Sequence, residues 1–202
     1  MRIAMIVPAL LIAASASAQD FSYRYVEVLG SQSKNNDTDI TLDTVNATVS
    51  LQSDAGALLQ FTAGVGEADD IPGAAGGPEG DVRSIEAFVG GARQLSERTS
   101  AWTGIGLGQL TIDPDNAASE SDVTTARFSL GLRHWLFSRV EAHGAVSVVY
   151  FDNDDVGEEV EDGELRLGLR FYPLPQLSLN VEAAYQFDER VEIIATSLRY
   201  DF

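Results

Sequence analysis

Only two histidines and no cysteine occur in the 202 residues. A nucleophilic centre on this chain would need His134 or His143 as its base, with a hydroxyl and a carboxylate in reach. His143 has the better neighbours, Glu141 next but one and Ser147 four residues on. Side chains two apart lie on one face of a strand, so all three share a face, but Ser147 sits two same-face positions away and beyond easy hydrogen-bond reach. The spacing predicts a structural, hydrogen-bonded His143 and no enzymatic activity. His134 stands beside Trp135 at a tight turn and has no such neighbours.

Two other groups of residues could do chemistry. The first is a set of charges with the parity of a polar strand face: Glu27, Glu86, Arg127, Arg133, Glu141, Glu164, Arg166, Arg170, Glu182 and Arg199, joined by His143. If enclosed, they form either a salt-bridge network that plugs a narrow lumen or the lining of a selective pore. Desolvated charges must be paired, and small barrels are filled by side chains, so the plugged arrangement is the expectation. The second group is the segment 152–164, with eight acids and no base. Asp152, Asp154 and Asp155 could offer oxygens to calcium. The spaced Asp-x-Asp-x-Asp-Gly pattern is missing, so a solvated acidic loop is expected and no metal. The Gly- and Pro-rich stretch 72–80 opens no helix and has no phosphate-binding context, so it reads as a loop tip. No cofactor is expected.

These residues are placed by strands. After residue 20 no segment keeps a helical period, whereas alternation at period two recurs. In 177–187, Leu177, Leu179, Val181, Ala183, Tyr185 and Phe187 oppose Ser178, Asn180, Glu182, Ala184 and Gln186. Segments 164–172, 140–150 and 125–133 repeat this clearly; 40–51, 58–66, 82–94 and 100–112 repeat it more weakly. The first strand, 21–29, places Val26 and Val28 on the apolar face and Tyr25 and Glu27 opposite. The last, 192–202, sets Ile194, Thr196, Leu198, Tyr200 and Phe202 against Ile193, Ala195, Ser197, Arg199 and Asp201. Ten strands result, with eight as the alternative. Tight turns fall near residues 53–54, 96–97, 137–138 and 173–175. Long connections span 31–39, 67–81, 113–122 and 152–163, with a shorter one at 188–190. This is a chain of antiparallel hairpins.

Periodicity alone leaves open which face is inside. A soluble carrier turns the apolar stripe inward; a membrane barrel turns it to lipid and fills the lumen with the polar stripe. The polar stripe here is rich in glycine and in arginine–glutamate pairs, which suits a crowded interior. Aromatics collect at strand ends (Tyr150, Phe171, Tyr185, Phe187, Tyr200, Phe202) and at the turn near Trp135 and Phe137, as interfacial girdles would. Strands of about 9–11 residues suffice to span a bilayer, and in hydrocarbon the sheet must close. The expected fold is an all-β, closed antiparallel up-and-down transmembrane β-barrel. It would have short periplasmic turns and long acidic extracellular loops. The orientation of Leu130, Leu167, Leu179 and Val181 decides between the two readings.

At the front, Arg2, the apolar run 3–13 and Ala16–Ser17–Ala18 have the layout of a secretory signal peptide. Residues 1–18 are expected to be removed, leaving a single domain over 19–202. The formal net charge of −18 makes nucleic acid a poor partner. Over residues 20–202 the chain resembles the small outer-membrane β-barrels of Gram-negative bacteria, of the opacity-protein and OmpA-transmembrane-domain type. The resemblance rests on the signal peptide, the alternation of short turns and long loops, and the closing Leu198–Tyr200–Phe202 pattern. It implies a monomer in the cell outer membrane, in contact with lipid and lipopolysaccharide. It also implies that Leu198, Tyr200 and Phe202 form the signal read by the barrel assembly machinery. The function expected is non-enzymatic, structural or surface-interacting, with a narrow porin-like pore as its extension. The alternatives are a soluble periplasmic carrier of an apolar ligand and a lipid A-modifying enzyme using His143.

Overall fold

The structure, a computed structural model, describes residues 21–69, 79–114, 121–153 and 158–202. The expected signal peptide, Asp154, Asp155 and residues 72–78 of the expected loop tip lie outside these residues, and Gly80 already belongs to a strand. Ten strands run in chain order: β1 (Tyr25–Asn35), β2 (Thr41–Gln52), β3 (Ala57–Asp69), β4 (Gly80–Ser96), β5 (Thr99–Pro114), β6 (Ser121–Phe137), β7 (Val140–Asn153), β8 (Glu158–Leu174), β9 (Leu177–Gln186) and β10 (Val191–Asp201). Each pairs antiparallel with its sequence neighbour. β1 also pairs with β10 from Tyr25–Asp201 to Asn35–Val191, which closes the barrel. Ten strands, not eight, is the count.

The tight turns come at one end, and the chain enters β1 and leaves β10 at that same end. Local chemistry explains the tightest of them. Gly56 adopts φ +86°, and its amide donates to the Ser53 carbonyl at 2.9 Å. Its own carbonyl accepts from the Ala92 amide at 2.8 Å. A left-handed backbone is cheap only for glycine, so the 53–56 turn ties the β2–β3 hairpin to β4.

Alternation sends apolar side chains outward on every strand. Leu130, Leu167, Leu179 and Val181 are 49 %, 58 %, 51 % and 57 % exposed, on a surface that Val45, Phe61, Ile85, Ile105, Phe128 and Ile194 continue around the barrel. The interior holds Glu141, Glu164, Arg133, Arg170 and Arg199, all buried. The barrel is inside out relative to a water-soluble protein, and this removes the soluble carrier: the outer face is apolar and the lumen polar.

Several elements differ from the expectation. β1 begins at Tyr25 and reaches Asn35, so residues 21–24 are not strand and the first long connection is only 36–40. The segment 152–163 is largely ladder, since β7 ends at Asn153 and β8 starts at Glu158. Backbone pairing carries the strands past the point where apolar alternation stops, because the ladder needs N–H and C=O groups and not apolar side chains. Trp135 does not sit in an outer girdle. It is 6 % exposed and points into the lumen. A register shift between Trp135 and Phe137 lets Leu136 and Phe137 both face outward after it. Such an irregularity breaks simple parity.

Candidate functional site

The lumen is the only place where charged side chains are gathered and enclosed among the described residues, and it is built in tiers from the short-turn end. At that mouth, residues 21–24 fold inward before β1 starts. Phe21, Tyr23, Leu58, Trp135 and Tyr172 form a buried cluster, with Ala92 and Trp102 packed against it. The Phe21 and Tyr172 rings lie 5.6 and 5.0 Å from that of Trp135. The Arg133 guanidinium stacks over Phe21 and Tyr23 at 5.2 and 4.7 Å from the ring centres, a cation–π geometry. The main chain is pinned as well. Arg133 Nη1 and Arg199 Nη2 both donate to the Ser22 carbonyl at 2.7 Å. Ser50 Oγ donates to the Tyr23 carbonyl at 2.8 Å, and the Tyr23 hydroxyl meets Ser100 Oγ at 2.9 Å. The segment stops that mouth of the barrel.

Above it runs a first chain of charges. Arg133 holds Glu141 by a fork of two 2.8 Å hydrogen bonds, Nε to Oε1 and Nη2 to Oε2. This bidentate geometry is the strong form of the pair, and Glu141 is wholly buried. The Tyr172 hydroxyl donates to Glu141 Oε2 at 3.3 Å. Arg170 approaches Glu141 at 3.5 Å and Glu27 at 3.3 Å. Ser197 donates to the same Glu27, and Arg199 pairs with Asp201.

A second chain lies nearer the long connections. His143 Nε2 is 2.8 Å from Asn180 Oδ1; an amide oxygen only accepts, so Nε2 carries the proton there. His143 Nδ1 is 3.7 Å from Glu182. Arg166 joins Glu182 at 3.0 Å and Glu164 at 3.1 Å, and Arg127 stands 3.6 Å from Glu164. Ser147 is taken by Ser129 at 2.9 Å, so His143 has no serine against it. His134 faces outward and meets Thr99 at 3.0 Å.

All eleven residues singled out in the sequence therefore point into the lumen. Nine of them border a chamber of about 390 Å³; Glu141 and Glu164 are covered by the arginines that pair with them. Glu86 alone among the eleven has no ion pair or hydrogen bond with a described residue. The glycines of the polar stripe make room for their neighbours. A Cβ at Gly131 would collide with the Trp102 ring, one at Gly168 with the His143 ring, and one at Gly64 with the Asn46 amide. Large lumen side chains thus lie flat across the adjacent strand.

Sequence reasoning missed the stopper of Phe21, Tyr23, Trp135 and Tyr172; the first two fall within the 21–29 segment read as the first strand, whereas the ladder begins only at Tyr25. Asp162 was assigned to a solvated loop. It is 1 % exposed, and its carboxylate accepts the amides of Phe187 and Asp188 at 3.0 Å and of Glu189 at 3.2 Å. It anchors the β9–β10 connection by satisfying backbone donors that would otherwise be orphaned. Leu198, Tyr200 and Phe202, which the resemblance implied as an assembly signal, face outward, each about half exposed.

No protein-family model matches the sequence, and no curated protein is similar to it. Solved structures share the fold. The β domain of the Bordetella autotransporter Brka superposes with a TM-score of 0.59 at 10% identity, covering 88% of this chain and 98% of that one. The NanC porin gives 0.51 at 11% identity, with 88% and 100% covered. The translocator domain of the autotransporter NalP from Neisseria meningitidis also gives 0.51 at 11% identity, with 91% and 90% covered. At these identities the likeness concerns the barrel fold.

Proposed function

We propose that the chain is an integral outer-membrane β-barrel of non-enzymatic type, a structural or surface-interacting component of the envelope. The observation that carries this reading is the continuous outward face of Val, Leu, Ile, Phe and Tyr around all ten strands. A contiguous apolar surface of this extent has to be covered, and a closed sheet with every backbone group paired is the β-structure that tolerates hydrocarbon. The short turns face the periplasm and the acidic connections face outside. Contacts with lipid and lipopolysaccharide, handling by the barrel assembly machinery and a monomeric state follow from the same reading. Against the lipid A-modifying alternative stands the pairing of His143 with Asn180 and of Ser147 with Ser129.

Porin-like conduction is the second reading, favoured by the arginine- and glutamate-bordered chamber. The stopper at the short-turn mouth opposes a continuous water path in this conformation. The tests are direct. Cell fractionation should find the protein in the outer membrane, and an unheated sample should migrate differently from a boiled one on a gel. A soluble periplasmic product with no heat-dependent shift would overturn the reading. In planar bilayers the intact chain should give no steady steps, and a variant whose mature chain starts at Arg24 should give them. Steady ion-selective steps from the intact chain would replace the blocked barrel with a pore.

A further inference from the structure

Charge on the outer surface is divided along the barrel axis. At the long-connection end the strands carry exposed acids beyond the apolar belt, among them Asp43, Glu67, Asp81, Asp122, Asp152 and Glu161. At the short-turn end the sign reverses between β4 and β7. Arg93, Arg98 and Arg139 are exposed there, His134 faces outward with them, and Glu97 is the only exposed acid of that stretch among the described residues. None of the three guanidinium groups makes an ion pair or hydrogen bond with a described residue, whereas Arg24 elsewhere on the rim pairs with Asp54 at 3.4 Å.

Register draws these groups around one residue. Arg93 on β4 pairs with Ala101 on β5, and Ala101 with Leu132 on β6. Nearer the turn, Thr99 pairs with His134, and its hydroxyl lies 3.0 Å from His134 Nδ1. The Arg98 carbonyl accepts from the Trp135 amide at 2.9 Å, which fixes the turn beside β6. Neighbouring strands are about 4.8 Å apart, so Arg93, Arg98 and His134 surround Thr99 within side-chain reach of one oxyanion. Toward the membrane centre, Gly91, Ala101 and Thr103 leave a depression bordered by Val89, Ile105, Leu130 and Leu132. A Cβ added at Gly91 would meet only the Gly56 carbonyl, at 3.7 Å, so the depression is open. Leu95 and Phe137, 59 % and 67 % exposed, flank the charges at the rim. Guanidinium heads on such an apolar edge sit at headgroup depth.

From this geometry we infer that the outer face of β4 to β6 binds one anionic phospholipid, its phosphate on Arg93, Arg98 and His134 around Thr99 and an acyl chain over Ala101 and Thr103. This names a lipid partner for the membrane barrel proposed above and rests on that reading. A guanidinium takes phosphate oxygens bidentately, and a lipid without a headgroup ammonium leaves those oxygens uncompensated. The acids at the opposite rim repel the same headgroup, so the lipid belongs to the leaflet at the short turns. Glu97 opposes it and limits its affinity.

For the test, the full mature chain is folded into phosphatidylcholine vesicles with a fluorophore on a single cysteine. The cysteine replaces Val146, one strand beyond the depression, or Leu179, away from it. Quenching is compared between phosphatidylglycerol and phosphatidylcholine carrying a nitroxide on the acyl chain. Each sample is first checked for the heat-dependent gel shift and for quenching of both labels by the phosphatidylcholine nitroxide. A failure of the barrel reading appears in those two checks and not in the lipid preference. Phosphatidylglycerol should quench the Val146 label at lower mole fraction than phosphatidylcholine does, and the two should quench the Leu179 label equally. Arg93→Gln and Arg98→Gln should each lower the preference about fivefold, the worth of one arginine at a membrane surface. Glu97→Gln should raise it, a gain that a damaged fold would not produce. Equal quenching by the two lipids at Val146, the same preference at Leu179, a full preference in the double arginine variant, or a weaker one in Glu97→Gln would each overturn the inference. Displacement by equimolar inorganic phosphate would also overturn it, and would make the site one for a free anion.

Discussion

The two halves of the lumen wall are built from different chemistry. From β6 to β10 the wall is charged: Arg127, Arg133, Glu141, His143, Glu164, Arg166, Arg170, Glu182 and Arg199 all project from it, linked in two chains of ion pairs. From β1 to β5 the wall is mostly hydroxyls, amides and glycines. Ser31 meets Thr44 at 2.7 Å, Thr48 meets Thr62 at 2.9 Å, and Ser84 donates to Asn46 at 3.3 Å. Glu27 is an apparent exception, since it sits on β1 beside β10 and joins the charged network through Arg170. Glu86 is the true one, an acid on the neutral wall with no described partner. The charged half fills the lumen with long side chains that must stay paired, whereas the neutral half satisfies its groups locally, one strand to the next. Removing one member should therefore cost far more on the first wall than on the second.

The largest effect is expected at Arg133. Its removal strips Glu141 of a bidentate partner in a fully buried site and frees the Ser22 carbonyl, and orphaning one half of a buried pair costs about 3–5 kcal/mol. Urea unfolding of Arg133→Ala in micelles should show a loss of that size. The double change Arg133→Met with Glu141→Leu should recover most of it. A loss below about 1 kcal/mol in the single variant would mean that water reaches the pair.

On the neutral wall, Gly104→Ala should cost about 1–3 kcal/mol, because the new methyl meets the Phe88 ring and the Val89 carbonyl. An unchanged midpoint would show that Phe88 can move aside. The smallest effect is expected for Thr48→Val, which removes one hydroxyl pair between β2 and β3, about 1 kcal/mol. If Thr48→Val proved as damaging as Arg133→Ala, the contrast between the walls would fail.

The same contrast explains what could be read in the sequence. Strand existence, face assignment and the parity of all eleven lumen residues were legible, because a period of two is a local property and Leu179 or Glu182 declares its face through its neighbours. The tight turns were legible from Ser53–Asp54 and Pro173–Pro175 for the same reason, though the left-handed Gly56 that closes the first was not. Partner choice was not. Arg133 forks onto Glu141 and Arg166 bridges Glu164 and Glu182 only because of where the hairpins set their register, and no local pattern encodes that. The stopper was hidden for a different reason: Phe21 and Tyr23 act before the ladder begins, and Trp135, which shares the lumen parity of Arg133, was grouped with Phe137 as an interfacial aromatic. Strand ends were understated where polar residues such as Ser33 and Asp162 continue a ladder without the apolar alternation that marks it.

The central claim is that the apolar face meets lipid and the charged face meets the lumen. The chain has no cysteine, so single cysteines can be introduced and nitroxide-labelled without background. Labels at Leu130, Leu167 and Val181, and at the intervening Ser129, Arg166 and Asn180, would be compared in vesicles for collision with oxygen, which concentrates in lipid, and with a water-soluble nickel complex. The account predicts strong oxygen access and no nickel access at the first three sites, and low oxygen access at the other three. Nickel access at Leu130, Leu167 and Val181, or oxygen access without alternation between the two sets, would contradict it.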